Sequence, residues 1–451
     1  MTVDALRESG EHMKLELNDI QNGALHPRPL PYVGAYVLLR IDDKRAGRDV
    51  LRRLLPTLGD ASRPADPAAQ AWVSAALTFQ GLKALGVPQD SLDSFPLAFR
   101  QGMAARAAML GDVGESAPER WESPFGKPDV HIGISALAPD AERLEAAFAP
   151  ARQVLQTMPG VQAIWRQDCH VPADKRNPFG FADGLSNPAI EGSGMPGNNP
   201  QEPPIKAGEF LLGYPNEFGE LPPMPAPEVL GRNGTYLAVM KIHTRVAAWR
   251  QYLRANAAGP TEEERLAAKV VGRWPSGAPL TLAPDRDDPE LGGDPRRNNA
   301  FLYAADDARG LKCPMGSHVR RMNPRDSEII GVTRLHRVFR RGTAYGPMLP
   351  EGVLEDDGVD RGIMFVFVGA DLERQFEFIR KEWVESGLFI ASPGEKDPLL
   401  GAHDGTGQFT IPREPIRQRL KGLPAFVTTK GGEYFFAPGL RALRWLADLD
   451  T

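Results

Sequence analysis

Three short stretches carry the side chains with the most chemistry. The first, Asn177-Pro178-Phe179-Gly180-Phe181-Ala182-Asp183-Gly184-Leu185-Ser186-Asn187-Pro188, sets one carboxylate among glycines, prolines and apolar residues. Apolar flanks would partly desolvate Asp183, raise its pKa and make it a usable proton shuttle. The Asp183-Gly184 pair also suits an ordinary turn in which the carboxylate only caps backbone amides, and composition leaves both open.

The second stretch is Met315-Gly316-Ser317-His318-Val319-Arg320-Arg321. A neutral imidazole is a good iron ligand when its other nitrogen donates to a carboxylate or carbonyl, although a structural histidine fits the same residues. Zinc suits the stretch less, because the only thiol nearby is Cys313, with no second pair. The third is the basic run His336-Arg337-Val338-Phe339-Arg340-Arg341-Gly342. Strand alternation puts Arg337 and Arg341 on one face and Arg340 on the other. An arginine that turns inward needs an anion to offset its desolvation; a solvated basic edge strand is the alternative.

The elements around these stretches follow from hydrophobic periodicity. Strands are expected at 35–41, 72–78, 130–135 and 161–165, with helices at 48–55, 80–85, 97–110 and 140–158, the last bent at Pro150. The order strand, helix, strand, strand, helix, strand is the split βαβ pattern of a ferredoxin-like unit. The second half repeats the plan without a repeat of sequence. Its expected strands are 236–242, 335–340, 363–368, 426–429 and 434–436. Its helices are 245–255 capped by Thr244, one to Val271 opened by a Thr261/Glu264 capping box, a stripe from Leu372 to Trp383, and 440–446. A Pro- and Gly-rich connection, 192–227, is too long for a simple loop and should cover or line something, and a second irregular stretch, 275–315, delivers the chain to His318. The fold class is therefore α+β, two ferredoxin-like domains at 1–215 and 216–451, each an antiparallel sheet with peripheral helices.

With 451 residues, 42% apolar and 25% charged, the chain can build a sizeable core. A formal charge of -5, from 53 basic and 58 acidic side chains, gives no reason to expect a nucleic-acid partner. The mixed, acidic stretch 1–17 is unlike a secretory signal, and no apolar run is long enough for a membrane span. Two cysteines, Cys169 and Cys313, fit a reducing compartment, so a cytoplasmic protein is expected.

Taken together the stretches resemble the dye-decolourising peroxidase family, over most of the chain. Gly180-Phe181-Ala182-Asp183-Gly184 fits that family's Gly-x-x-Asp-Gly signature, and His318 with the Arg-x-x-Arg-Arg-Gly segment at 337–342 fits its axial ligand and distal arginine. Trp72 to Gly86 and Phe426 to Pro438 are similar as well. The resemblance implies haem b held mainly by the C-terminal half, with His318 as proximal iron ligand and Asp183 and Arg340 on the distal side. It further implies hydrogen peroxide as oxidant and dyes or phenols as one-electron donors through a ferryl intermediate, in the longer cytoplasmic bacterial branch. A haem-binding or haem-handling protein with little turnover is the alternative, and Asp183 with Arg340 is what it would not need. A carboxylate base implies an acidic optimum. Asp397 or Asp404 would orient His318, and Tyr345 would relay electrons from bulky dyes at the surface. The physiological donor, manganese oxidation and oligomeric state are not fixed by the sequence.

Overall fold

The β-branched runs of the first half become four strands, β1 (Tyr32–Ile41), β2 (Trp72–Leu77), β3 (Ile132–Ala138) and β4 (Val161–Val171). They pair antiparallel in the order β2-β3-β1-β4. This is a computed structural model that describes residues 14–26, 28, 30–62, 71–171, 174–327, 332–389 and 394–449. Most of the expected acidic N-terminal stretch, 1–13, lies outside the described residues.

The second half supplies β5 (Thr235–Thr244), β6 (Phe339–Arg340), β7 (Thr343–Tyr345) and β8 (Gly362–Gly369). A hairpin of β9 (Gly407–Ile411) and β10 (Gln418–Leu423) stands apart, and β11 (Val427–Ala437) returns to the sheet. Here the order is β11-β5-β8, with β6 and β7 both on the free edge of β8. Both halves thus have the strand order of a ferredoxin-like unit. They meet at two seams of one residue pair each, Phe436 with Leu77 and His170 with Ala344, so the strands close into a ring around one core. Leu39 and Ile134 from the first half and Tyr236, Phe367 and Phe436 from the second share that core.

Two helices cover the first sheet. Lys44–Leu54 starts where the Asp43 carboxylate accepts the Ala46 N–H at 2.9 Å. Ala141–Thr157 starts at Asp140 and runs unbroken through Pro150, so the expected bend gives no break. The helix expected over 97–110 is interrupted at Gly102, whose φ of +76° only glycine adopts cheaply.

Several local expectations fail for physical reasons. Thr244 does not cap Val246–Ala255, because its hydroxyl donates to the Arg361 carbonyl instead. Pro260 takes the first position of Pro260–Val271, which puts Thr261 inside the helix rather than at a capping box. Leu335 and His336 belong to a 3-10 turn, and only Phe339–Arg340 pairs as strand. The stripe at 372–383 is helical but wound in π turns, Leu372–Glu377 and Ile379–Glu385. Strands 426–429 and 434–436 are one strand, β11, with an irregularity between Thr429 and Gly431. Among the described residues no helix is long and apolar enough to cross a membrane.

Candidate functional site

The Asp183 loop is held through its backbone amides. Asn177 Oδ1 accepts the N–H groups of Phe179 at 3.0 Å and Phe181 at 3.2 Å, and the Asn177 N–H returns to the Phe181 carbonyl. The Ala182 N–H donates to Pro275 O, in the second long connection, at 3.0 Å. Gly180 and Gly184 have φ of +90° and +75°, and a Cβ on either would meet nothing within 4 Å, so the loop faces open space. Asp183 projects from it and meets Arg340 Nη1 at 3.8 Å. Its side chain is 48% exposed, which corrects the expectation that its apolar neighbours desolvate it. They turn away, Phe181 into a core cluster.

Arg340 is the outward arginine of its run, as alternation requires. Arg337 and Arg341 point inward, Arg337 onto the two carboxylate oxygens of Glu202 at 3.0 Å each. The Arg340 backbone is gripped from the Asp183 loop. Its N–H donates to Asn187 Oδ1 at 3.0 Å, and Asn187 Nδ2 donates to its carbonyl at 3.2 Å. Asn198 in turn accepts the Asn187 N–H at 2.8 Å. Sequence reasoning missed Asn187, whose only signal was being the last polar residue before Pro188 in the loop.

His318 opens the short helix His318–Met322. Its Nδ1–H donates to Asp397 Oδ2 at 2.9 Å, which leaves Nε2 as the free ligand nitrogen. Asp397 is fully buried, and its other oxygen accepts the N–H groups of Leu399 and Leu400 at 2.9 and 2.8 Å. Burial alone would raise this carboxyl, but the His318 ring, Arg321 and the Leu400 amide outweigh it and hold it down at about 2. The choice left open by the sequence is thereby made. Asp404 is exposed and binds the Thr406 amide and hydroxyl of its own turn, not His318. Buried Arg321 ties the His318 helix to this segment through the carbonyls of Trp383, Ser386 and Glu395, at 2.6, 3.0 and 3.1 Å.

Cations outnumber carboxylates around the Asp183 loop. Arg273 and Arg325 are satisfied mainly by carbonyls of 277–301 and both use Asn299 Oδ1; burial, then the Arg325 charge, pushes the Arg273 guanidinium down to about 10. The Arg340 charge acts on both Arg273 and Arg337. A flat metal chelate carrying carboxylates, taken by an imidazole with a free Nε2, suits this donor set. A metal bound by protein side chains alone does not, since among the described residues no group of three or more His, Cys, Asp or Glu could hold one.

Tyr345 is overturned as a surface relay. It is 1% exposed, its hydroxyl donates to Asp360 at 3.2 Å, and Lys241 Nζ lies 5.0 Å from its ring centre, so no bulky dye can touch it.

No family model matches the chain. Among curated proteins it is 32% identical to Peroxidase 2 of Mycetinis scorodonius, over 82% of this chain and 75% of that protein. It is 31% identical to a dye-decolorizing peroxidase of Mycena epipterygia, over 83% and 76% respectively. A solved dye-decolorizing peroxidase in complex with 2,6-dimethoxyphenol superposes with a TM-score of 0.83, at 27% identity, over 96% of this chain and 100% of that one.

Proposed function

The chain belongs to the dye-decolorizing peroxidase family, and on that premise we propose that His318, Asp183 and Arg340 are the working residues of its haem site. The protein is a haem peroxidase that reduces hydrogen peroxide and oxidises dyes and phenols. Haem b is the form we propose. When bound, the haem would supply the redox chemistry that joins two-electron reduction of peroxide to one-electron oxidation of a donor. His318 Nε2 would hold the iron. Asp397, held as the anion, accepts from Nδ1–H, which fixes the ring's orientation and strengthens its basicity. Asp183 would take a proton from peroxide and return it to the departing oxygen. Arg340 donates to the oxygen on which charge builds.

The observation that carries this proposal is the Asp183–Arg340 contact at 3.8 Å beside open space, which haem storage alone would not call for. The test is the absorption spectrum of the haem-loaded protein before and after one equivalent of peroxide. His318→Ala should lose the haem band, whereas Asp183→Asn should keep it and react with peroxide about 100-fold more slowly. Haem bound normally but inert to peroxide in the wild type would move the protein to the haem-handling alternative. A peroxide rate that rises steadily from about pH 5 to about pH 8 would remove Asp183 as the shuttle.

The finer placement, a cytoplasmic protein of the longer bacterial branch, is likewise a proposal. It rests on Cys169 and Cys313, both buried and unpaired, and cell fractionation tests it. A division into domains at 215/216 is proposed on the two strand orders.

A further inference from the structure

Asn187, which grips Arg340, also lines a cavity of about 50 Å³ whose walls include Leu25, Ile190, Asn198, Phe339 and Arg341. About 10–15 Å³ already admits one water, so there is room for a small ion. Arg341 is 94% buried by its 6% exposure, yet among the described residues it pairs with no carboxylate. It stacks on Phe339, its carbon centre 3.9 Å from the ring centroid, and donates from Nη2 to Leu25 O at 2.9 Å and from Nε to Gly23 O at 3.4 Å. Its Nη1 makes no hydrogen bond among the described residues and is not among the polar atoms sealed from solvent. Asn198 Nδ2 is in the same position, since that side chain accepts from Asn187 through Oδ1 only.

The charge nearby makes the imbalance greater. Arg28 also pairs with no carboxylate among the described residues and is spent on the hydroxyls of Tyr32 and Tyr36 and on the Gly342 carbonyl. Burial, then the Arg28 charge, holds the Arg341 guanidinium well below its usual range, which is the signature of a cation lacking a counter-ion. Arg337, on the same face of the run, has Glu202. Arg341 has only the cavity.

We propose that this cavity is a binding site for a small monovalent anion of halide size, held by Arg341 Nη1 and Asn198 Nδ2. The apolar wall of Leu25, Ile190 and Phe339 favours a weakly hydrated ion. Its lining includes none of Asp183, His318 and Arg340, and binding there requires neither peroxide nor turnover.

Bromide is the probe. Crystals of the haem-loaded protein soaked in sodium bromide should show an anomalous peak within about 3.5 Å of Arg341 Nη1. In solution, sodium bromide should raise the melting temperature by roughly 1–3 °C over sodium gluconate, whose anion is too large, at equal ionic strength. Arg341→Met should abolish the difference. Because that variant can fail to fold, Ile190→Phe, which fills the cavity and leaves the cation in place, should abolish it too. Equal melting in the two salts with no anomalous peak overturns the proposal, as does an undiminished bromide shift in Ile190→Phe.

Discussion

Asp397 decides what His318 can offer a metal. Its carboxylate takes Nδ1–H at 2.9 Å from inside the core, with two backbone amides on its other oxygen, so it is rigid as well as anionic. Asp397→Asn keeps the shape but removes the charge; the expected loss is about 10- to 100-fold in haem affinity or peroxide rate, read by haem titration and stopped-flow absorbance. Asn187 does for Arg340 what Asp397 does for His318, but through backbone atoms. Asn187→Ala should leave haem affinity unchanged and slow the peroxide reaction about 10-fold or more, because Arg340 is freed to shift by a fraction of an ångström. An equal loss in haem affinity would show Asn187 to be merely structural. Residue types and local motif singled out Asp183, His318 and Arg340 as candidates. Their partners were not legible in the sequence, since nothing local distinguishes Asp397 from Asp404, seven residues apart. Only burial does, and burial is a property of the folded chain.

Among elements, strands were read better than their joints. β11 looked like two strands because Lys430-Gly431-Gly432 has the composition of a turn, yet the pairing with β5 absorbs the irregularity there. The π turns at 372–385 keep the apolar stripe of an α-helix, so spacing could not reveal them. β11 also carries a strained acid. Glu433 has no cation among the described residues. Burial pushes its carboxyl up to about 7, against the amides of Tyr434 and Met103, which pull the other way. An acid raised on folding holds its proton more tightly in the native state. Its contribution is therefore fully present below 4.5 and is lost as pH rises through about 7. Glu433→Gln should flatten the fall in stability across that window, by at most about 3 kcal/mol, as measured by denaturant unfolding at each pH. A fall as steep in the variant as in the wild type would assign it to another group.

At the scale of the whole molecule, two similar halves could be inferred from strand order, but their closure into a ring could not. Each seam rests on a single residue pair, too little to leave a pattern in the sequence. What holds the β11–β2 seam is side chains. Phe436 is fully buried, and its ring lies 5.3, 6.4 and 5.6 Å from those of Phe95, Phe99 and Tyr236, drawn from both halves. Offset and edge-on contacts of this kind add to the area they bury. Since the core runs continuously through this seam, loosening it should loosen the haem site's support as well, although His318 and Asp183 lie outside the cluster. Phe436→Ala should cost about 3–5 kcal/mol, with no loss of peroxide reactivity at low temperature. The fall in melting temperature should be the same by far-ultraviolet circular dichroism and by release of haem. If the haem band outlasts the secondary structure of the first half, the two sheets unfold separately and the shared core does not couple them.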